Sequence, residues 1–141
     1  MATIKEDYVS FETAKLLKEK GFDSDEVGCL GGFYSERCYE SGHGIITQSG
    51  QEVGIVYDDL RNCDLDYDEY LRPTQAMAMK WLREVHNVFI SIIYNKDGVF
   101  IADVKSPVSG IDCWVDNKHN CWFKYEEAAE EAIKFCLERL I

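Results

Sequence analysis

A tight-turn signal at residues 95–98, Asn-Lys-Asp-Gly, separates two apolar runs in the second half of the chain. Asn, Asp and Gly tolerate the positive φ angles that short connections between antiparallel strands require. The flanking runs, 88–94 and 99–104, are rich in β-branched residues, so we predict that they form a β-hairpin. A second hairpin is predicted from 111–116 and 121–124. These two hairpins require a largely antiparallel sheet.

Three segments have the apolar spacing of amphipathic helices, at 11–20, 73–86 and 125–140. Ser10 stands where an N-cap belongs in the first helix, and Gly21 is placed to end it in a left-handed conformation, followed by the apolar Phe22. The predicted core face of the second helix comprises Met77, Ala78, Trp81, Leu82 and Val85. That of the third comprises Ala129, Ala132, Ile133, Cys136, Leu137 and Leu140.

Short aromatic and β-branched runs at 33–39, 45–48 and 53–57 predict two or three further antiparallel strands. The 141 residues fit one domain, and no Pro/Gly/Ser linker divides them. The order of elements therefore predicts a single α+β domain over 1–141, with about three helices packed on a mostly antiparallel sheet built from hairpins.

Acidic residues dominate the charge, with 26 Asp and Glu against 15 Lys and Arg and a net charge of −11. Nearly all of the excess lies before Pro73. Such a surface disfavours direct binding of nucleic acid or anionic lipid. No apolar run has the length of a signal peptide or of a membrane span, so we expect a cytoplasmic protein.

The acidic tract, defined as residues 58–70, is the most conspicuous local feature. Asp64, Asp66 and Asp68 have the first three ligand spacings of an EF-hand loop, but Glu69 stands where that loop needs glycine and Gln75 where it needs glutamate. We interpret the tract as a solvated acidic loop or as a docking surface for a basic protein. Its candidate binding residues are Asp58, Asp59, Asp64, Asp66, Asp68 and Glu69.

Six cysteines and three histidines allow combinations that could bind zinc or form a nucleophilic pair. The candidate sets are Cys38 with His43, and Cys113 with His119 and Cys121. No Cys-x-x-Cys motif occurs, and alternation places Cys113 on a strand face beside apolar residues. We interpret the cysteines as core thiols, and no metal, cofactor or catalytic residue is predicted.

Two tryptophans are candidate binding residues, Trp114 and Trp122. Alternation along 111–116 places Trp114 on the same face as Asp112 and Asp116, which is expected to be the wetter face. An exposed tryptophan is a frequent anchor in protein interfaces. The alternative is that a helix or the N-terminal segment covers it.

Three stretches of the chain resemble a group of small proteins carried by phages and prophages of gut bacteria. They are 9–22, 73–86 and 125–128. The second begins with Pro-Thr-Gln-Ala and ends with Lys-Trp-Leu-Arg-Glu-Val-His, and the third is Tyr-Glu-Glu-Ala. The resemblance covers about a third of the chain and consists of helix signatures. It implies a phage-related origin and brings no activity, cofactor or catalytic residue. Residues 23–71 match no pattern of that group.

These features together predict a small non-enzymatic binding or modulator protein whose partner is another protein with a basic surface. The acidic tract would steer that partner and Trp114 would anchor it. One alternative is a DNA mimic that occupies the nucleic-acid groove of a host enzyme. Another is an enzyme that uses a cysteine or a metal. The oligomeric state stays open at this point.

Overall fold

The structure, a computed structural model, describes residues 4, 6–22, 33–35, 45–46, 52–53, 69–115 and 121–141. These residues contain three helices and a three-stranded antiparallel sheet, so the predicted α+β class is confirmed. The chain divides into two compact units, unit 1 at 1–74 and unit 2 at 75–141. The assignment of all 141 residues to one domain stays a prediction.

Helix α1 of unit 1, Phe11–Glu19, begins and ends as the sequence predicts. The hydroxyl of Ser10 accepts a hydrogen bond from the Thr13 N–H at 3.3 Å, which satisfies one of the unpaired donors of the first turn. Gly21 has φ +94°, and the Phe22 N–H donates to the Leu17 carbonyl at 3.0 Å. Phe22 and Leu17 are both buried, so the chain reverses at Gly21 and returns an aromatic side chain to the core.

The described part of unit 1 also contains four short strands, β1 (Phe33–Ser35), β2 (Ile45–Ile46), β3 (Glu52–Val53) and β4 (Glu69–Leu71), in the order β3-β2-β1-β4. The prediction that the strands between 33 and 57 are all antiparallel is wrong, because β1 pairs with β2 in parallel. β2 pairs with β3 antiparallel, with residues 47–51 between them, and β1 pairs with β4 antiparallel.

The sheet of unit 2 consists of β5 (Phe89–Tyr94), β6 (Phe100–Ser106) and β7 (Ile111–Trp114), in the order β5-β6-β7. The predicted first hairpin is confirmed, because β5 and β6 pair antiparallel on either side of the 95–98 turn. The Asn95 N–H donates to the Val99 carbonyl at 2.9 Å, and Gly98 has φ +81°. Local turn chemistry thus sets the register of this pair.

The predicted second hairpin, between 111–116 and 121–124, is wrong. β7 pairs with β6, and the Val115 N–H continues that ladder by donating to the Ala102 carbonyl at 2.9 Å. Trp122 then exchanges two backbone hydrogen bonds with Phe100, further along the same edge of β6. Both segments are therefore successive partners of β6 instead of partners of each other.

Helices α2 (Gln75–His86) and α3 (Tyr125–Arg139) contact each other, and both pack on the sheet of unit 2. The Gln75 side-chain amide donates to the Glu126 carbonyl at 2.9 Å and to a Glu130 carboxylate oxygen at 3.3 Å, which joins the starts of the two helices. Most predicted core positions are buried, but Val85 is exposed because it lies in the last turn of α2. The buried face of α3 comprises Ala128, Ala129, Ala132, Ile133, Cys136 and Leu137.

Among the described residues, no helix has both the length and the apolar character that crossing a membrane demands.

Candidate binding face

One side of the β5-β6-β7 sheet carries the helices, and the other side carries exposed residues. Helix α3 contacts β5 and β6, and Ala102 and Val104 of β6 are completely buried. Because strand side chains alternate between the two sides, the neighbours of Ala102 and Val104 point the opposite way. We name this opposite side the open face. Its exposed members are Phe89, Ser91, Ile93, Lys105, Asp112 and Trp114.

Trp114 is the largest exposed side chain of the open face, at 54% of its full accessible area. It ends β7 opposite Asp103, while Asp112, two positions earlier, is opposite Lys105. Phe89 and Ile93 of β5 are exposed on the same side. The open face therefore combines an exposed tryptophan with separate apolar side chains and exposed charged groups, a composition typical of protein-binding surfaces.

The charges of the open face are arranged unequally. Asp103 is almost completely buried, and its carboxylate lies 3.7 Å from the Lys105 ammonium group, whose side chain is largely exposed. Lys105 thus provides the counter-charge for Asp103. Asp112 is exposed beside Trp114 and leaves a negative charge available to a basic partner.

The other tryptophans of the chain are buried. Trp81 lies in the core face of α2, and Trp122 is only 9% exposed where it pairs with Phe100. Of the two candidate tryptophans, Trp122 is the buried one. A binding role for Trp122 stays a prediction, and exposure favours Trp114 as the anchor.

The candidate residues of the acidic tract lie mainly outside the described part of the chain. This applies to Asp58, Asp59, Asp64, Asp66 and Asp68. Glu69 begins β4, where its backbone pairs with that of Ser35. The docking role of the tract therefore stays a prediction.

Cys136 of α3 is a buried thiol, and burial together with the nearby Cys113 raises its pKa to about 12. Because the thiolate is the reactive form, Cys136 is inert as a nucleophile near neutral pH. Cys113 and Cys121 are partly buried thiols. Cys38, His43 and His119 lie outside the described residues, and within those residues no group of three or more His, Cys, Asp or Glu side chains could hold a metal ion.

A cleft of about 150 Å³ lies along α3, where it is lined by Val115, Glu131, Lys134, Phe135, Glu138 and Arg139. Pockets that enclose small organic ligands are usually about 300 to 1,000 Å³. The lining is also mostly charged and belongs largely to one helix. This cleft is therefore a weaker candidate for a functional site than the open face.

Sequence reasoning located Trp114 but missed Phe89 and Ile93 as members of the same surface. The reason is that 88–94 is almost entirely apolar, so its alternation has no polar side to mark. One signal was present, since Ser91 is the single polar residue of β5 and lies between Phe89 and Ile93 on the open face. Extending the alternation from Ser91 would have identified both.

Comparisons of the chain with protein-family models, with curated proteins and with solved structures find no match. The resemblance of the three helical stretches to phage and prophage proteins accordingly stays a prediction.

Proposed function

We propose that this chain is a non-enzymatic protein-binding or modulator module of phage origin that acts in the cytoplasm. Its contact surface is the open face of the β5-β6-β7 sheet, with Trp114 as the anchor. Its partner is a protein with a basic surface, and the excess acid of the chain attracts that partner before contact.

A single observation carries the proposal, namely the exposure of Trp114 at the end of β7, an edge strand of the antiparallel sheet. A half-exposed tryptophan on a rigid strand can bury a large apolar area with little loss of side-chain entropy. Phe89 and Ile93 extend the apolar area, and Asp112 adds a carboxylate next to the anchor.

The charge distribution supports a basic partner. The chain has a net charge of −11, and Asp112 is exposed beside Trp114 while the charge of Asp103 is matched by Lys105. Charges at the edge of an interface mainly raise the association rate and are screened by salt. We therefore expect added salt to lower the association rate constant more than it raises the dissociation rate constant of the complex.

The test is affinity capture from a lysate of the native host, at low and moderate salt, with wild type, Trp114→Ala and a matched control. Tyr125→Ala is that control, because Tyr125 is 44% exposed and its ring contacts Phe100 on the helix-bearing side of the sheet. We expect a stoichiometric basic protein that wild type and Tyr125→Ala retain and that Trp114→Ala loses. Each variant is first checked for native circular dichroism.

Retention of the same partner by folded Trp114→Ala would exclude Trp114 as the anchor. A partner displaced by duplex DNA would instead favour the DNA-mimic alternative. A second pair of variants tests the charge, because Asp112→Asn removes the exposed carboxylate of the open face and Asp97→Asn removes one from the 95–98 turn. Only Asp112→Asn is expected to slow association.

A further inference from the structure

Strand β5 is at one edge of the β5-β6-β7 sheet, and among the described residues no strand pairs with its outer side. The Asn95 N–H donates to the Val99 carbonyl, so Asn95 and Val99 form a hydrogen-bonded pair of the ladder. Such pairs alternate along an antiparallel ladder. Consequently Ile90, Ile92 and Tyr94 direct their backbone N–H and C=O groups away from β6.

Within strand β5 itself, the sequence features that normally prevent strand association are absent. Monomeric proteins protect their sheet edges with charged side chains, proline, bulges or very short strands. β5 has the sequence Phe-Ile-Ser-Ile-Ile-Tyr, with no charge, no proline and no glycine over six residues. β7, at the opposite edge, is shorter and carries Asp112. The two edges thus differ, and only that of β5 suits pairing with another strand.

We propose that the outer edge of β5 is a homodimer interface, in which the β5 strands of two copies of this chain pair antiparallel about a twofold axis. Identical strands are self-complementary in this arrangement, since both copies contribute the same outward groups. An axis at Ile92 places Ile90 opposite Tyr94 of the second copy. The result is a continuous sheet in which the outward backbone groups of both copies are paired.

The charge of unit 2 favours a second copy as the occupant. Residues 75–141 contain 8 basic and 10 acidic side chains, whereas residues 1–74 contain 7 and 16. Two copies that meet through β5 therefore bring together nearly neutral regions of an otherwise acidic chain. The interface also closes at two copies, because each chain has one β5 edge and uses it once. It depends on backbone pairing and not on what the open face binds.

Sedimentation velocity and amide hydrogen exchange on the natural chain test this proposal. We expect an assembly of twice the chain mass that dissociates on dilution. The amides of Ile90, Ile92 and Tyr94 should exchange slowly in the dimer and quickly in the monomer. Those of Ser91 and Ile93 should stay protected in both states, because their N–H groups bond within the sheet.

Two substitutions at Tyr94 isolate the backbone contribution. Tyr94 is 64% exposed and its ring lies 5.1 Å from that of Phe100. Tyr94→Pro removes an outward N–H without removing a donor from the ladder with β6, whereas Tyr94→Ala removes the ring and keeps the N–H. We expect Tyr94→Pro to raise the dimer dissociation constant at least about tenfold over that of Tyr94→Ala.

Three results would overturn the proposal. One is a monomer at every concentration examined. Another is a dimer whose amides at Ile90, Ile92 and Tyr94 exchange quickly, because association would then use another surface. The third is growth into assemblies larger than two copies. The exchange measurement needs no variant, so the proposal is testable even if Tyr94→Pro does not fold.

Discussion

Units 1 and 2 differ both in charge and in strand length. Residues 1–74 carry 7 basic and 16 acidic side chains and contain strands of two or three residues. Residues 75–141 are nearly neutral, and their strands β5 and β6 have six and seven residues. Under the proposed function, this difference assigns long-range attraction of the partner mainly to unit 1 and the ordered apolar contact surface to unit 2.

The largest expected effect compares the cores of the two units. Leu137 of α3 and Leu17 of α1 are both almost completely buried, so replacing either by alanine should lower the free energy of unfolding by about 3 kcal/mol. Leu140→Ala, at the half-buried end of α3, should cost less than about 1 kcal/mol. Denaturant unfolding measures all three variants. If Leu17→Ala changes the free energy of unfolding much less than Leu137→Ala does, core packing contributes less to the stability of unit 1 than to that of unit 2.

A pH effect is expected from Cys136 of unit 2. The pKa of Cys136 is raised to about 12, chiefly by burial, against 9.0 for an ordinary cysteine. Between these values the unfolded chain loses the proton and the native chain keeps it, so this thiol's contribution to stability is complete below pH 9 and is lost as pH rises toward 12.

Because of this thiol, the free energy of unfolding should fall by about 1 kcal/mol per pH unit between pH 9 and 12. Cys136→Ala should be less stable than wild type at neutral pH. Its free energy of unfolding should lack the decrease that the Cys136 thiol causes between pH 9 and 12. Unfolding of wild type and variant by denaturant across that range measures the difference. Equal slopes in the two proteins would contradict the assignment, as would rapid modification of Cys136 by a thiol reagent at pH 8.

A smaller effect tests how unit 1 forms its helix. Ser10→Ala removes the acceptor for the Thr13 N–H and should lower stability by about 1 kcal/mol. Ser10→Asp should restore most of the loss, because a carboxylate caps the same N–H and lies at the positive end of the helix. Ser109→Ala, in an exposed turn of unit 2, is the control and should change stability by less than about 0.5 kcal/mol. Thermal unfolding distinguishes these outcomes.

The smallest expected effect concerns surface accessibility and leaves stability nearly unchanged. The three tryptophans of the chain are Trp81, Trp114 and Trp122, and only Trp114 is exposed. Acrylamide should therefore quench one component of the tryptophan fluorescence strongly, and Trp114→Phe should abolish that component. If strong quenching persists in Trp114→Phe, another tryptophan is accessible to acrylamide. Trp114 would then not be the single exposed tryptophan, and the choice of the open face as the binding surface would lose its main support.

The parts of the fold that were predicted correctly depend on neighbours in sequence. The cap at Ser10, the reversal at Gly21 and the turn at 95–98 each need only a few adjacent residues, and the structure contains all of them. Helix periodicity also gave the core face of α3, since one apolar stripe recurs over four turns.

The parts that were predicted wrongly depend on which strands meet. The local pattern at 33–35 and 45–46 does not indicate whether the two strands run parallel. The pattern at 121–124 likewise does not indicate that Trp122 pairs with Phe100 instead of with 111–116. At the candidate site, the exposure of Trp114 follows from alternation, but its apolar neighbours on β5 needed the register between strands. Pairing across long sequence separations is a property of the whole chain.

The pairing of β6 with β7 and then with Trp122 identifies a position in the chain that should accept an inserted sequence. In a regular ladder the residue opposite Phe100 would be Asn117, counting on from the pairing of Val115 with Ala102, yet it is Trp122, five positions later. Backbone hydrogen bonds hold Val115 to Ala102 and Trp122 to Phe100, on either side of residues 116–120. An affinity tag, an epitope or a small reporter domain placed at 116–120 would thus leave both anchor points in register. The same arrangement would let related chains vary in length here without repacking the sheet.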